Sequence, residues 1–310
     1  MKNRLVCVIG GSGFLGRYVV QALLEQGARV RVVARDASDG WFLKTQSGLG
    51  QIQFASGDVR KPQNMARVVA GADAVVNLVG ILKGDFQSFH VDGARNIATA
   101  AAAAGVDALI HISAIGSDPK SPSAYGRSKG EGEVAVRAAF PAATILRPSI
   151  VFGREDQFVN RFAGLIRMLP VVPVIRGIAR FQPIYVGDVA NAVVAALVDA
   201  GKHAGKSYDL GGPEILSMAA LNRWIASAIG RTVPLVEVPD VLSEIMVRTS
   251  GWLPGAPITK DQWAMLQLDN IVSGPDGLKE MGVTPTPLEA VADGWLVQYK
   301  RQGRFSGKTN

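Results

Sequence analysis

Val6-Cys7-Val8-Ile9-Gly10-Gly11-Ser12-Gly13-Phe14-Leu15-Gly16-Arg17 is the stretch that decides the fold. It opens as a short apolar run, the pattern of a strand buried on both faces of a parallel sheet. Glycines at 10, 13 and 16 then break the run, and a helical pattern follows. Gly10 lets the chain turn sharply out of the strand, Gly13 admits close approach of a pyrophosphate, and Gly16 lets the helix pack against the strand. Free N–H groups and the dipole at the helix start favour negative charge there. The order strand, glycine turn, helix predicts nucleotide binding through Gly10, Ser12, Gly13, Phe14, Leu15 and Gly16. The same spacing also occurs in tight turns that bind nothing.

Outward from this turn, strands and helices alternate. Phe14 to Gln26 reads as a helix with Val19, Val20, Leu23 and Leu24 inward and Gly27 as its stop. Ala28 to Ala34, Gln51 to Ala55, Asp73 to Leu78 and Ala108 to Ser113 read as further strands. A helix opens at Pro62, and the Ala-rich Asn96 to Ala104 is another, ended by Gly105. The alternation predicts an α/β fold: a doubly wound parallel (Rossmann) sheet with a smaller C-terminal α/β lobe. Strand ends on the carboxyl side of such a sheet line the ligand crevice. Asp58 and Val59 are therefore expected at an adenine, and Leu78, Val79 and Gly80 along the nucleotide. The second strand ends in Arg35-Asp36. A carboxylate there holds the 2′-hydroxyl of NAD, whereas an arginine accommodates the 2′-phosphate of NADP. Both types are present, but Arg35 comes first and Arg17 adds a cation near the turn, so NADP(H) is favoured over NAD(H).

A second constellation is Ser113 with Tyr125-Gly126-Arg127-Ser128-Lys129. A helix starting near Ser123 and running to about Ala139 puts Tyr125 and Lys129 on one face. Ser113 lies at a strand's carboxyl end. An ammonium beside a phenol favours phenolate, and bringing a tyrosine from about 10 to near 7 needs about 4 kcal/mol. Such a tyrosine exchanges the proton of a carbonyl/alcohol pair during hydride transfer, with the serine hydroxyl holding the oxygen. Pro148 is expected to end the sixth strand and turn it toward the nicotinamide.

With these residues in view, the sequence resembles the short-chain dehydrogenase/reductase superfamily in its extended or atypical branch. The Gly10 to Gly16 turn looks like that family's cofactor turn, and Ser113, Tyr125 and Lys129 match its Ser-Tyr-Lys set. A narrower resemblance, to the NADPH-binding accessory subunit family of respiratory complex I, rests on four stretches. These are Leu146-Arg147-Pro148-Ser149-Ile150-Val151-Phe152-Gly153-Arg154-Glu155-Asp156-Gln157-Phe158, Tyr125 to Glu133, Gln182 to Val189, and Thr284 to Glu289; Phe152 to Asp156 is the most specific run. This resemblance implies a tightly held NADPH with a mainly structural role and a respiratory-complex or membrane-surface partner. The complete Ser-Tyr-Lys set keeps a second function open, an NADP-dependent oxidoreductase or epimerase acting on a small-molecule substrate.

Composition bounds the rest. With 310 residues, 48% hydrophobic and 19% charged, the chain is globular and long enough for a full core. One cysteine excludes an intrachain disulfide, and His90, His111 and His203 lack metal-ligand spacing, so each reads as structural and no metal is expected. A net charge of +7 favours acidic partners, but no nucleic-acid signature accompanies it, and no nucleic acid is expected. The sequence predicts a dinucleotide domain over 1–155, rejoined by about 181–200, and a smaller substrate or partner lobe over 156–180 and 201–310. Ser207 to Leu210 reads as a strand and Ser217 to Ile229 as a helix.

No apolar run of about 18 residues is present, so no membrane span is expected. Lys2 and Arg4 before apolar residues superficially suggest a signal peptide, but the glycine turn already uses those residues. A bacterial, cytoplasmic protein is expected. Arg147 to Arg180 holds six arginines, no lysine and two acids. Within it Leu165 to Ile178 is mostly apolar, and Pro170 and Pro173 argue against one continuous helix. An apolar loop with arginines along it suits peripheral docking on an anionic inner-membrane surface, to which Lys300, Arg301, Arg304 and Lys308 would add. Packing into the small lobe with solvated arginines is the competing reading.

Overall fold

The computed structural model describes residues 1–250, 258–301 and 303. Arg304 and Lys308 of the basic tail lie outside the described residues. The chain divides into two compact units. The first comprises Met1–Pro148, Val186–Leu210 and Ser273–Thr284, and the second Ser149–Tyr185, Gly211–Val272 and Pro285–Asn310. The first unit thus includes Ser207–Leu210 and 273–284, stretches that the sequence reading gave to the smaller lobe.

The first unit is built on a seven-stranded parallel sheet. Its strands are β1 (Leu5–Ile9), β2 (Arg29–Ala34), β3 (Ile52–Ser56), β4 (Ala74–Asn77), β5 (Ala108–Ile112), β6 (Thr144–Pro148) and β7 (Ser207–Leu210). Their spatial order is β7-β6-β5-β4-β1-β2-β3, so the winding reverses between β1 and β4. The helices are α1 (Phe14–Glu25), α2 (Pro62–Val69), α3 (Gly93–Ala103), α4 (Ala124–Ala139) and α5 (Val186–Val198). Contacts pair α1 with α5, and α3 with both α2 and α4. Helices on both faces explain why β1 is apolar without alternation: Val6, Cys7, Val8 and Ile9 are all buried. Cys7 and Ile9 join Met65, Val68, Ile97 and Leu109 in one cluster.

Gly27 ends α1 with φ of +74°, and Ala28 N–H reaches back to the Leu23 carbonyl, the left-handed closure that glycine permits. Between β4 and α3, Gln87–Asp92 forms a π-helical turn, which the sequence did not predict.

Among its described residues the second unit contains three short ladders. Val151–Phe152 pairs with Ile184–Tyr185, Arg180–Phe181 with Leu216–Ser217, and Val172–Ile175 with Leu235–Val238. Helices Val159–Met168, Met218–Ala228 and Leu288–Leu296 supply Ile166, Leu221, Ile225 and Leu296 to a core that Phe152 of the first ladder joins. Asp156, from the motif-like run, is buried and caps the first of these helices. Its Oδ1 accepts from the N–H groups of Phe158 at 2.8 Å and Val159 at 2.6 Å.

The stretch Leu165 to Ile178 is helix up to Met168 and strand from Val172 to Ile175. Ile166, Val172 and Val174 are core, whereas Met168, Val171 and Ile178 are exposed. Arg176 within it pairs with Asp240, and Arg180 just beyond it pairs with Asp269. No helix of the described residues is long and apolar enough to cross a membrane.

Candidate functional site

The glycine turn sits where the winding reverses, at the carboxyl ends of β1 and β4. Gly10 holds φ of +85°, a backbone that L side chains rarely adopt. Its N–H is bonded to the Val33 carbonyl, and the Leu78 N–H to that of Ile9 at 2.9 Å. Gly10 and Leu78 are brought together: a Cβ on Gly10 would stand 3.4 Å from the Leu78 carbonyl carbon. At Gly16 a Cβ would lie 2.4 Å from the Gly10 oxygen and 2.6 Å from Gly11, so no side chain fits between turn and helix.

Gly13 is the N-cap of α1; no side chain caps the helix, and no acid lies in its first turn. Ser12, Phe14 and Leu15 flank it, partly exposed. An uncapped helix start beside a glycine turn fits the pyrophosphate of a dinucleotide.

At the end of β2, Arg35 is exposed. Asp36 is engaged elsewhere: its Oδ1 accepts from the Ser38 N–H at 2.9 Å and the Ser38 hydroxyl at 2.7 Å, capping the 3₁₀ turn Ala37–Gln46. These bonds hold its carboxyl below the usual range. Arg17 lies over the Phe42 ring at 4.8 Å. Asp58 is bound through both oxygens by Arg60, which lowers its carboxyl to about 2. Val59 is core, packed against Gly93. Val79 N–H is held by Asn77 Oδ1 at 3.0 Å, and Gly80 faces open space.

The second cluster gathers the ends of β5 and β6 and the head of α4. Ser123 caps α4 by accepting from Gly126 N–H, which sets where the helix begins. Lys129, 4% exposed, donates to the Ile112 carbonyl at 2.7 Å and is thereby anchored beside Ser113. Ser113 N–H bonds the Leu146 carbonyl, and Ile115 N–H that of Pro148, tying the two strand ends together. The Ser117 hydroxyl donates to the Ala114 carbonyl, so the Ser113 hydroxyl, 2.9 Å away, donates to Ser117.

The expected lowering of the Tyr125 hydroxyl is not found. Burial pushes it up to about 12. Burial also pushes Lys129 down to about 8, with Glu133 opposing. Desolvation outweighs the cation-to-phenol attraction that spacing alone suggested.

Residues around this cluster went unassigned in the sequence. His111 and Asn77 pair on neighbouring strands, with Asn77 Nδ2 2.9 Å from His111 Nδ1. Because Asn77 Oδ1 accepts from Val79, its amide nitrogen donates to Nδ1, and the His111 proton resides on Nε2. His90, in the π-helical turn, lies against Tyr125 with ring centroids 5.5 Å apart. Burial and the Lys129 charge keep both imidazoles neutral, His90 down at about 3. Histidines without ligand spacing gave no signal for this role. Among the described residues no group of three or more His, Cys, Asp or Glu side chains is placed to hold a metal.

Residues 6–211 match the NAD dependent epimerase/dehydratase family. The chain belongs to this family. Within the epimerase/dehydratase family and its relatives, it is 36% identical over 290 residues to the mitochondrial NADH dehydrogenase [ubiquinone] 1 alpha subcomplex subunit 9 of Mus musculus, across 91% of this chain and 77% of that one. It is 34% identical to a ceramide reductase of Caulobacter vibrioides over 62% of this chain and 60% of that protein. An Escherichia coli NADPH-dependent quinone oxidoreductase, QOR2, solved with NADPH, shares the fold with a TM-score of 0.76 at 21% identity, covering 93% of this chain and 98% of that one. Membership makes this a nicotinamide-dinucleotide-binding fold related to a complex I subunit and to reductases.

Proposed function

We propose that the chain holds NADP(H) as a mainly structural group and serves as an accessory protein of a respiratory complex, peripheral on the inner membrane. The observation that carries this reading is the 36% identity to the complex I subunit along 91% of the chain. NADP(H) is preferred over NAD(H) because Asp36 caps the turn at Ser38, leaving the exposed Arg35 at the end of β2 for a 2′-phosphate. A structural role is supported by Tyr125 held near 12 and by Ser113 donating to Ser117. Exposed Met168, Val171 and Ile178 near Arg167 suit a membrane-surface or membrane-protein partner.

The test is calorimetric titration with NADPH and NADH, followed by dialysis and pull-down from native membranes. NADPH is expected to bind more tightly, to survive dialysis, and to accompany respiratory-complex subunits in the pull-down. Equal affinity for NADH, with no membrane protein captured, overturns the reading. An active oxidoreductase or epimerase is the second reading, favoured by Lys129 at about 8, a range in which it can exchange protons near neutrality. Turnover of a carbonyl or quinone that is lost in Tyr125→Phe would establish it.

A further inference from the structure

We infer that His90 is a positioning residue that ties the loop after β4 to the head of α4, so that Tyr125 and the nucleotide-flanking loop move as one body. The imidazole is bonded at both nitrogens. Its Nε2 accepts from the Ile81 N–H at 2.9 Å, so the ring proton is on Nδ1, which donates to the Ser128 hydroxyl at 2.9 Å. Ser128 in turn donates to the Tyr125 carbonyl at 2.8 Å. A single chain of bonds therefore runs from Ile81, next to Leu78, Val79 and Gly80, through His90 and Ser128 to Tyr125.

Packing reinforces the chain. The His90 ring stands edge-on to Tyr125, with an interplanar angle of 87°. Phe86 stacks on His90 at 5.3 Å and meets Tyr125 at 6.0 Å. The His90 carbonyl presses on α4 as well, since a Cβ on Gly132 would lie 2.3 Å from its oxygen. Residues 125, 128 and 132 follow one helix face, so His90 engages α4 along almost two turns. A π-helical turn makes this possible: the extra residue widens the backbone where ring and carbonyl must both face α4. His90 is 2% exposed, which shields its bonds from competing water.

The experiment uses the full chain with 3-fluorotyrosine at its five tyrosines, the Tyr125 line being assigned by its loss in Tyr125→Phe. His90→Phe keeps a ring but removes both nitrogen bonds; Ser128→Ala removes only the middle hydroxyl; His90→Gln restores one donor and one acceptor. In the wild type a single Tyr125 fluorine line is expected, which shifts on adding NADPH. In His90→Phe and Ser128→Ala the line should move or split without cofactor and lose its response to NADPH, and His90→Gln should recover both properties in part. A wild-type line position and NADPH response retained in Ser128→Ala and His90→Phe overturns the inference. The cofactor arm rests on the proposed dinucleotide binding. If the wild type binds no NADPH, that reading fails, while the cofactor-free comparison still decides the role of His90. If His90→Phe does not fold, Ser128→Ala against the wild type decides it.

Discussion

The glycine turn and the head of α4 belong to the same unit, yet different forces shape them. The turn is fixed by backbone sterics over a few residues: Gly10 at positive φ, Gly16 with no room for a Cβ. The head of α4 is fixed by side chains that meet from distant parts of the sequence: Lys129 on Ile112, Ser128 on His90. The first kind of order is set by the room left for a Cβ and by the backbone angle, and no titrating side chain holds it. The second tolerates conservative change and carries titrating groups in a desolvated setting, so it responds to pH.

Substitution in the turn has the largest expected effect. Gly16→Ala must displace the Gly10 and Gly11 backbone, and a loss of at least about 3 kcal/mol in urea unfolding is expected, together with loss of NADPH binding. A variant as stable as the wild type would mean that the turn yields, and would break the contrast. Gly10→Ala forces an L residue to φ of +85° while meeting only ordinary contacts, so a smaller loss of about 1–2 kcal/mol follows.

The α4 cluster should instead reveal itself in the pH dependence of stability. Lys129 is lowered from 10.5 to about 8 in the folded chain, so above pH 8 the unfolded chain binds the extra proton and stability rises with pH. The rise is cleanest between pH 8 and 9, because Cys7, raised by burial from 9.0 to about 12, opposes it above that range. A gain of somewhat under about 1 kcal/mol over that one unit is expected in the wild type, because the folded lysine is half protonated at pH 8 and Cys7 begins to oppose the rise near pH 9, and it should vanish in Lys129→Met. An equal slope in both proteins would remove Lys129 as its source. The smallest effect is expected for Tyr125→Phe, about 1 kcal/mol or less, because the ring contacts with His90 and Phe86 survive. A loss as large as that of Gly16→Ala would erase the distinction between the two regions.

The same contrast explains what the sequence could reveal. β1, the turn and α1 were legible because apolar runs and glycine spacing report local sterics directly. Tyr125 and Lys129 were legible as neighbours, since helical spacing places them, but their protonation was not: burial is a tertiary property, and it reversed the expected shift. Asp36 is the less favoured of the two candidates at the end of β2, and its bonds to Ser38 are geometry that the sequence does not display. His90 was illegible because a π-helical turn breaks the periodicity by which a helix is recognised, and its partners lie 9 residues before it and 38 after it. The arginine-rich segment read as a local excess of positive charge because Glu133, Asp240 and Asp269, which neutralise Arg147, Arg176 and Arg180, come from elsewhere in the chain.

Cys7 sits in the middle of β1, fully buried, between β2 and β4. Its thiol is pushed up to about 12, so almost no thiolate exists at pH 8, and no reagent reaches it without parting the sheet. As the sole cysteine in the chain, it makes alkylation a molecular clock with one hand. Iodoacetamide adds only while the central strands are parted, so the labelling rate reads the population of the open sheet, and at reagent concentrations where alkylation outpaces reclosing it reads the rate of opening, without any introduced probe.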